Sequence, residues 1–197
     1  MMHRKLRWDR LQVTTEFCIV LAVSFLVVPL PWLLAWLVAA FVHEMGHIIA
    51  IISGGHRIDR VIIDCWGAKI YTDFIGKDEW YCALAGSFFA LLFLIFIRVI
   101  PRVAICAVAQ SAFNLLPILP LDGGRALRSI LLVKLDEEKA HTISQQISTI
   151  FMLVFLCLSL YLLINKFSLT IVLMSVLFLI KILRIKIPCK RGGKWVQ

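Results

Sequence analysis

An apolar run extends from Phe17 to Ile52, interrupted mainly by Pro29-Leu30-Pro31 and by His43-Glu44-Met45-Gly46-His47. Inside lipid such a run must satisfy its own backbone, which leaves helices. One crossing takes about 20 residues, so the run holds two helices, with the prolines at the break between them. Trp32 and Trp36 beyond the break suit an interface followed by re-entry. The second helix carries the two imidazoles and the carboxylate in its far half, and Ser53-Gly54-Gly55 ends it.

Composition extends this reading to the whole chain. With 61% hydrophobic residues, 17% charged residues and a mean hydropathy of +0.91, a soluble globule would have too little polar surface. The 197 residues fit one domain. Arg4, Lys5, Arg7 and Arg10 ahead of the first apolar stretch resemble the start of a secretory signal. No A-x-A cleavage pattern follows, so this segment is expected to stay as the first span. The expected fold is an all-α polytopic membrane protein of six transmembrane helices, at about 11–28, 32–52, 80–97, 103–119, 143–164 and 167–183. Between spans two and three, Lys69, Tyr71 and Asp73 alternate with Ile70, Thr72 and Phe74, and Trp66-Gly67 offers a turn. This leaves room for a small β-hairpin over 56–79; an irregular loop fits the short pattern equally.

Six spans divide the basic residues unevenly. With the N-terminus cytoplasmic, all of the 21 Lys and Arg except Arg98, Arg102 and Lys166 lie in the cytoplasmic segments or, for Lys181, at the cytoplasmic end of the sixth span. The positive-inside rule then places both termini in the cytoplasm, whereas one kinked helix over 11–52 would put a basic terminus outside. The same distribution explains the net charge of +9 without nucleic acid, because the basic residues fall between apolar spans and not along one polar face. The six cysteines include no C-x-x-C pair, and Cys18, Cys82, Cys106 and Cys157 within apolar segments are expected to act as small buried hydrophobes.

Ionisable groups at membrane depth mark functional sites by default. On a helix His43 and His47 share a face one turn apart, while Glu44 lies about 100° round it. Both rings can therefore bind one metal ion and Glu44 is left free to take a proton from water, the arrangement H-E-x-x-H associated with zinc. The bland alternative is a pair of histidines joining neighbouring helices. A third ligand is needed, and spans two and four both run inward. Span four ends in Asn114-Leu115-Leu116-Pro117-Ile118-Leu119-Pro120-Leu121-Asp122-Gly123-Gly124, which brings Asp122 to a similar depth. Pro117, Pro120 and the glycines allow a broken helix that turns the carboxylate toward a neighbour. Asp122 could otherwise cap the following segment. An extended histidine pattern fails at Ala50 and Ser53. His56 and His141 are expected to be solvated or interfacial, and His3 lies in the tail.

With these two motifs the sequence resembles the site-2 proteases, intramembrane zinc metalloproteases, with confidence over roughly residues 30–135. The resemblance implies one zinc ion per chain on His43, His47 and Asp122, Glu44 acting on water, and Asn114 contacting the substrate or its developing oxyanion. Where members of the family often carry Gly-Pro followed by Asn in the third span, this chain reads Ala85-Gly86-Ser87-Phe88-Phe89-Ala90. The chain has no room for a PDZ or CBS domain, and is similar to the compact branch that includes a sporulation sigma-factor-processing protease. The implied activity is hydrolysis of a peptide bond in or near the transmembrane segment of a membrane-bound protein, at the cytoplasmic half of the bilayer. Its partner would be such a substrate, a transcription-regulator precursor or an anti-sigma factor among them, in a bacterial cytoplasmic membrane. A metal or proton transporter and an inactive substrate-binding relative are the alternatives. The intact Glu44 speaks against the second, and the scarcity of further charges within spans, Glu16 and Lys181 alone, against the first.

Overall fold

The computed structural model describes residues 11–64, 67–72, 79–164, 190–191 and 194–195. In chain order the elements are β1 (Leu11–Val13), α1 (Thr15–Val27), α2 (Leu30–Ser53), β2 (Ile58–Asp64), β3 (Gly67–Thr72), α3 (Glu79–Leu91), α4 (Pro101–Asn114), α5 (Asp122–Leu131) and α6 (Glu137–Ile164). A 3₁₀ segment, Leu92–Phe96, continues α3. Two short strands, β4 (Lys190–Arg191) and β5 (Lys194–Trp195), pair with each other near the C-terminus.

Three helical stretches, Leu30–Ser53, Glu79–Phe96 and Glu137–Tyr161, are long and apolar enough to cross a membrane. The chain is thus a multi-spanning, mainly helical membrane protein. Helices α1 and α4 have 13 and 14 residues. At 1.5 Å per residue each is about 20 Å long, short of the roughly 30 Å hydrocarbon core. The expected sixth span, 167–183, lies outside the described residues.

Local chemistry explains where the boundaries differ from those expected. The first helix begins at Thr15 and not at Leu11, because the Thr14 side chain caps it by accepting from the Phe17 amide at 3.3 Å. Residues Leu11–Val13 instead form a strand parallel to β2, with Val13 opposite Ile63. This pairing joins the start of α1 to the segment after α2, as expected of two antiparallel spans and not of one kinked helix. Helix α2 starts just after Pro29, as the proline pair requires, and Gly55, at a φ of 79°, turns the chain beyond its end. Helix α4 stops at Asn114 and not near residue 119, since Pro117 can neither donate to nor follow a helical turn. The fifth span starts earlier than expected: Glu137 and Glu138 occupy the first turn of α6, where carboxylates favour the helix dipole.

The segment after α2 is a hairpin. β2 and β3 run antiparallel, with Val61 opposite Ile70 and Ile63 opposite Ala68, and the sheet order is β1-β2-β3. β3 is therefore an edge strand.

Packing is that of a membrane bundle. One buried cluster consists of Ala35, Ala39, Ala90, Cys106 and Ala107, from α2, α3 and α4. The largest fully buried side chains are serines. Small residues let helix backbones approach closely when lipid removes any hydrophobic drive between them. Large apolar side chains point outward instead, Leu26 at 87% exposure among them, with Phe41, Phe88 and Ile95. Cys82 and Cys106 are buried as expected, but Cys18 and Cys157 lie exposed on the outer faces, where lipid is as apolar as a core. Polar ties also cross the bundle: Gln110 donates to the Trp36 carbonyl at 3.0 Å, and the Leu119 amide donates to Ser148 at 2.9 Å.

Candidate metal centre

Helix α2 is buried along the stripe Leu33, Ala35, Ala39, His43, Gly46, His47 and Ala50, so both histidines face the bundle by helical spacing alone. His47 is six residues, or about 9 Å, from the end of α2 at Ser53, which sets it toward the hairpin side. Asp122 arrives from a different element than expected. It does not end α4; it is the first residue of a separate helix, α5, reached through a seven-residue connection after Asn114. Gly123 makes this connection possible, since a Cβ there would stand 2.5 Å from the Leu116 carbonyl oxygen.

The three side chains converge. His43 Nε2 lies 3.0 Å from Asp122 Oδ2, His47 Nε2 lies 3.3 Å from the same oxygen, and the two Nε2 atoms are 3.2 Å apart. All three residues are buried, and they form the one group of this kind among the described residues. The N-cap of α5 is Leu121 and not Asp122, whose carboxylate instead contacts the two histidines.

The donor set fits zinc. His47 Nδ1–H donates to the Cys82 carbonyl at 2.7 Å, which leaves a lone pair on Nε2. That lone pair faces a carboxylate oxygen and a second imidazole nitrogen, a convergence of donor atoms that a shared proton or a metal cation can hold together. Tetrahedral zinc with bonds of about 2.0–2.1 Å to nitrogen would set ligand atoms roughly 3.3 Å apart. The observed separations of 3.0–3.3 Å are close to that edge.

Glu44 is half-buried beside the cluster and accepts a long bond, 3.5 Å, from the Ala68 amide at the start of β3. The hairpin thus overlies the Glu44 side of the site. Asn114, the last residue of α4, brings its Nδ2 to 3.3 Å from His43 Nε2. All five residues singled out from the sequence therefore come together. His141 departs from expectation: it lies within α6, is 2% exposed, and among the described residues neither ring nitrogen has a hydrogen-bond partner. His56 is half-buried beyond the end of α2.

Three features escaped sequence reasoning. Gly86 of α3 abuts the His47 ring, and a Cβ there would overlap it, reaching 2.6 Å from Cε1. The third span thus contributes by absence of a side chain. The Cys82 carbonyl orients His47, which no side-chain pattern could signal. Arg125 and Glu79 form an ion pair beside Asp122; the i, i+3 spacing of Asp122 and Arg125 would have pointed to the arginine had α5 been recognised as a helix.

Comparison with known proteins agrees with this geometry. Residues 83–155 match the model of Peptidase family M50. Over 154 residues the chain is 29% identical to stage IV sporulation protein FB of Bacillus subtilis (strain 168), a match covering 71% of this chain and 54% of that protein. The chain thus spans about half the length of that relative. The site-2 protease from Methanocaldococcus jannaschii shares the fold, with a TM-score of 0.67, 20% identity, and coverage of 91% of this chain and 92% of that one. With the His-Glu-x-x-His motif and the clustered aspartate, these matches make the chain similar to Peptidase family M50 over residues 83–155 and to a site-2 protease in fold.

Proposed function

We propose that the chain is an intramembrane zinc metalloprotease that hydrolyses a peptide bond in or near the transmembrane segment of a membrane-bound protein. The observation that carries this reading is the buried His43, His47 and Asp122 cluster with Glu44 beside it. His43, His47 and Asp122 would hold one zinc ion, and zinc bound there polarises a carbonyl and makes nearby water more acidic. Glu44, free of the ligand set, accepts the proton from water and returns it to the leaving amine. The Asn114 amide, at the rim of the cluster, is placed to donate to the oxyanion that develops on the scissile carbonyl.

The membrane arrangement in this reading has six spans with both termini in the cytoplasm, which the distribution of Lys and Arg supports. The cluster, near the hairpin end of α2, then sits in the cytoplasmic half of the bilayer of a bacterial cell. Cleaved products leave toward the cytosol, as suits release of a membrane-held regulator such as a transcription-factor precursor. The purified chain should carry about one zinc and cut a single-span reporter protein. A chelator should remove both properties and added zinc restore cleavage; cleavage that survives full removal of metal would overturn the reading.

A helical substrate hides its carbonyls, so it must unwind to be cut. The outer edge of β3 offers the unwound stretch a strand to pair with. Ala68 N–H faces away from β2, toward Glu44, and by the two-residue period of a strand so does Ile70 N–H. Ile70→Pro removes that donor and should slow cleavage about fivefold while zinc content is unchanged, as expected for one lost bond worth about 1 kcal/mol. Wild-type turnover by this variant would exclude strand pairing at the β3 edge.

A further inference from the structure

The carboxylate of Asp122 has two oxygens, and only Oδ2 points into the cluster. Its other oxygen, Oδ1, lies 3.9 Å from Nη1 of Arg125, one turn along α5. Arg125 is itself tied to another helix: its Nε and Nη2 both donate to Glu79 Oε1 on α3, at 3.0 and 2.8 Å. Glu79 is buried and opens α3. The same helix supplies the Cys82 carbonyl that orients His47 and the Gly86 surface against which that ring rests. The aspartate and one histidine of the cluster are therefore both registered against α3.

A lone guanidinium beside this cluster would do harm in two ways. It would compete for the Asp122 carboxylate, since the fork of Arg matches a carboxylate in two-point contact. It would also repel a dication. A buried glutamate that takes both Nε and Nη2 leaves only Nη1 turned toward Asp122 and cancels the added charge.

Resting on the reading of the cluster as a zinc site, we propose that Glu79 and Arg125 form a positioning pair that aims Asp122 at the metal. Arg125 steadies Oδ1 so that Oδ2 stays in the cluster, and Glu79 holds Arg125 at the distance where it steers the carboxylate without capturing it. Neither residue touches substrate; both act through Asp122.

The test uses the full chain in detergent micelles, with zinc affinity measured by chelator competition and cobalt(II) absorption as a readout of ligand geometry. The double variant Glu79→Gln/Arg125→Gln removes both charges and strands neither. It should bind zinc about 10–100-fold more weakly, the usual effect of losing an outer partner of a ligand, and shift the cobalt bands. Arg125→Lys, which keeps the charge and not the fork, should fall between the double variant and wild type. If the double variant does not fold, Glu79→Gln alone decides, since it frees the guanidinium without adding a buried charge, and the same weakening is expected. Wild-type affinity with unchanged cobalt bands in either variant overturns the positioning role and leaves the zinc site standing. A wild-type chain that binds neither metal overturns the zinc site and the positioning role together.

Discussion

Glu44→Gln should keep the full zinc content of the wild type and lose cleavage by about 10²–10⁴-fold, the usual contribution of a positioned acid–base group. The amide is nearly the same size as the carboxylate and can still lie beside the Ala68 amide, so the local fold is not disturbed. In the proposed function His43, His47 and Asp122 supply the ligand atoms, and none of them is changed. What disappears is the ability to hold a proton between water and the leaving amine. Metal analysis and reporter cleavage on the same sample check this. Cleavage that survives the substitution would mean that Glu44 is not the base. Loss of zinc along with cleavage would mean that Glu44 helps to bind it.

Asp122→Ala should fail at the earlier step, with zinc affinity lowered by more than about 100-fold and no measurable cleavage, since even partners outside the ligand set are worth about 10–100-fold. The expectation rests on the carboxylate sitting 3.0 and 3.3 Å from the two imidazoles. Folding should survive, because Glu79 continues to pair Arg125 and no buried cation is stranded. The competing account makes Asp122 a helix-starting residue of α5 and nothing more. Loss of such a residue costs about 1 kcal/mol of stability and leaves zinc untouched. A variant with a modestly lowered Tm and wild-type zinc binding would favour that account.

The two substitutions separate the roles within the cluster. In the proposed function Glu44 acts at the proton transfer and Asp122 at assembly of the site, so the first should yield a zinc-loaded inert protein and the second a zinc-poor one.

Much of the site is legible in the residues themselves because its main ligands are local in the chain. His43 and His47 must share a face of any helix, and the apolar run around them must be helical in lipid, so two ligands and the separate position of Glu44 follow from spacing alone. The α1/α2 break at Pro29 and the end of α2 near Gly54 follow equally from residues whose backbone constraints do not depend on context. Even the hairpin shows in its alternation, though six or seven residues cannot separate a strand from a loop by pattern.

Tertiary structure decided what depends on contacts between distant segments. Asp122 reaches the histidines 79 and 75 positions earlier in the chain, and it does so at the start of α5 and not at the end of α4, because Pro117 ends one helix and the Gly123 backbone lets the next pack close. Leu11–Val13 is apolar enough for a span, yet Thr14 capped α1 and released those residues to pair with β2. The burial of His141, the steric role of Gly86 and the Glu79–Arg125 pair all belong to packing between helices. A chain's periodicity tells which face of a helix is turned inward. Only the assembled bundle determines which side chain, backbone carbonyl or missing Cβ it meets there.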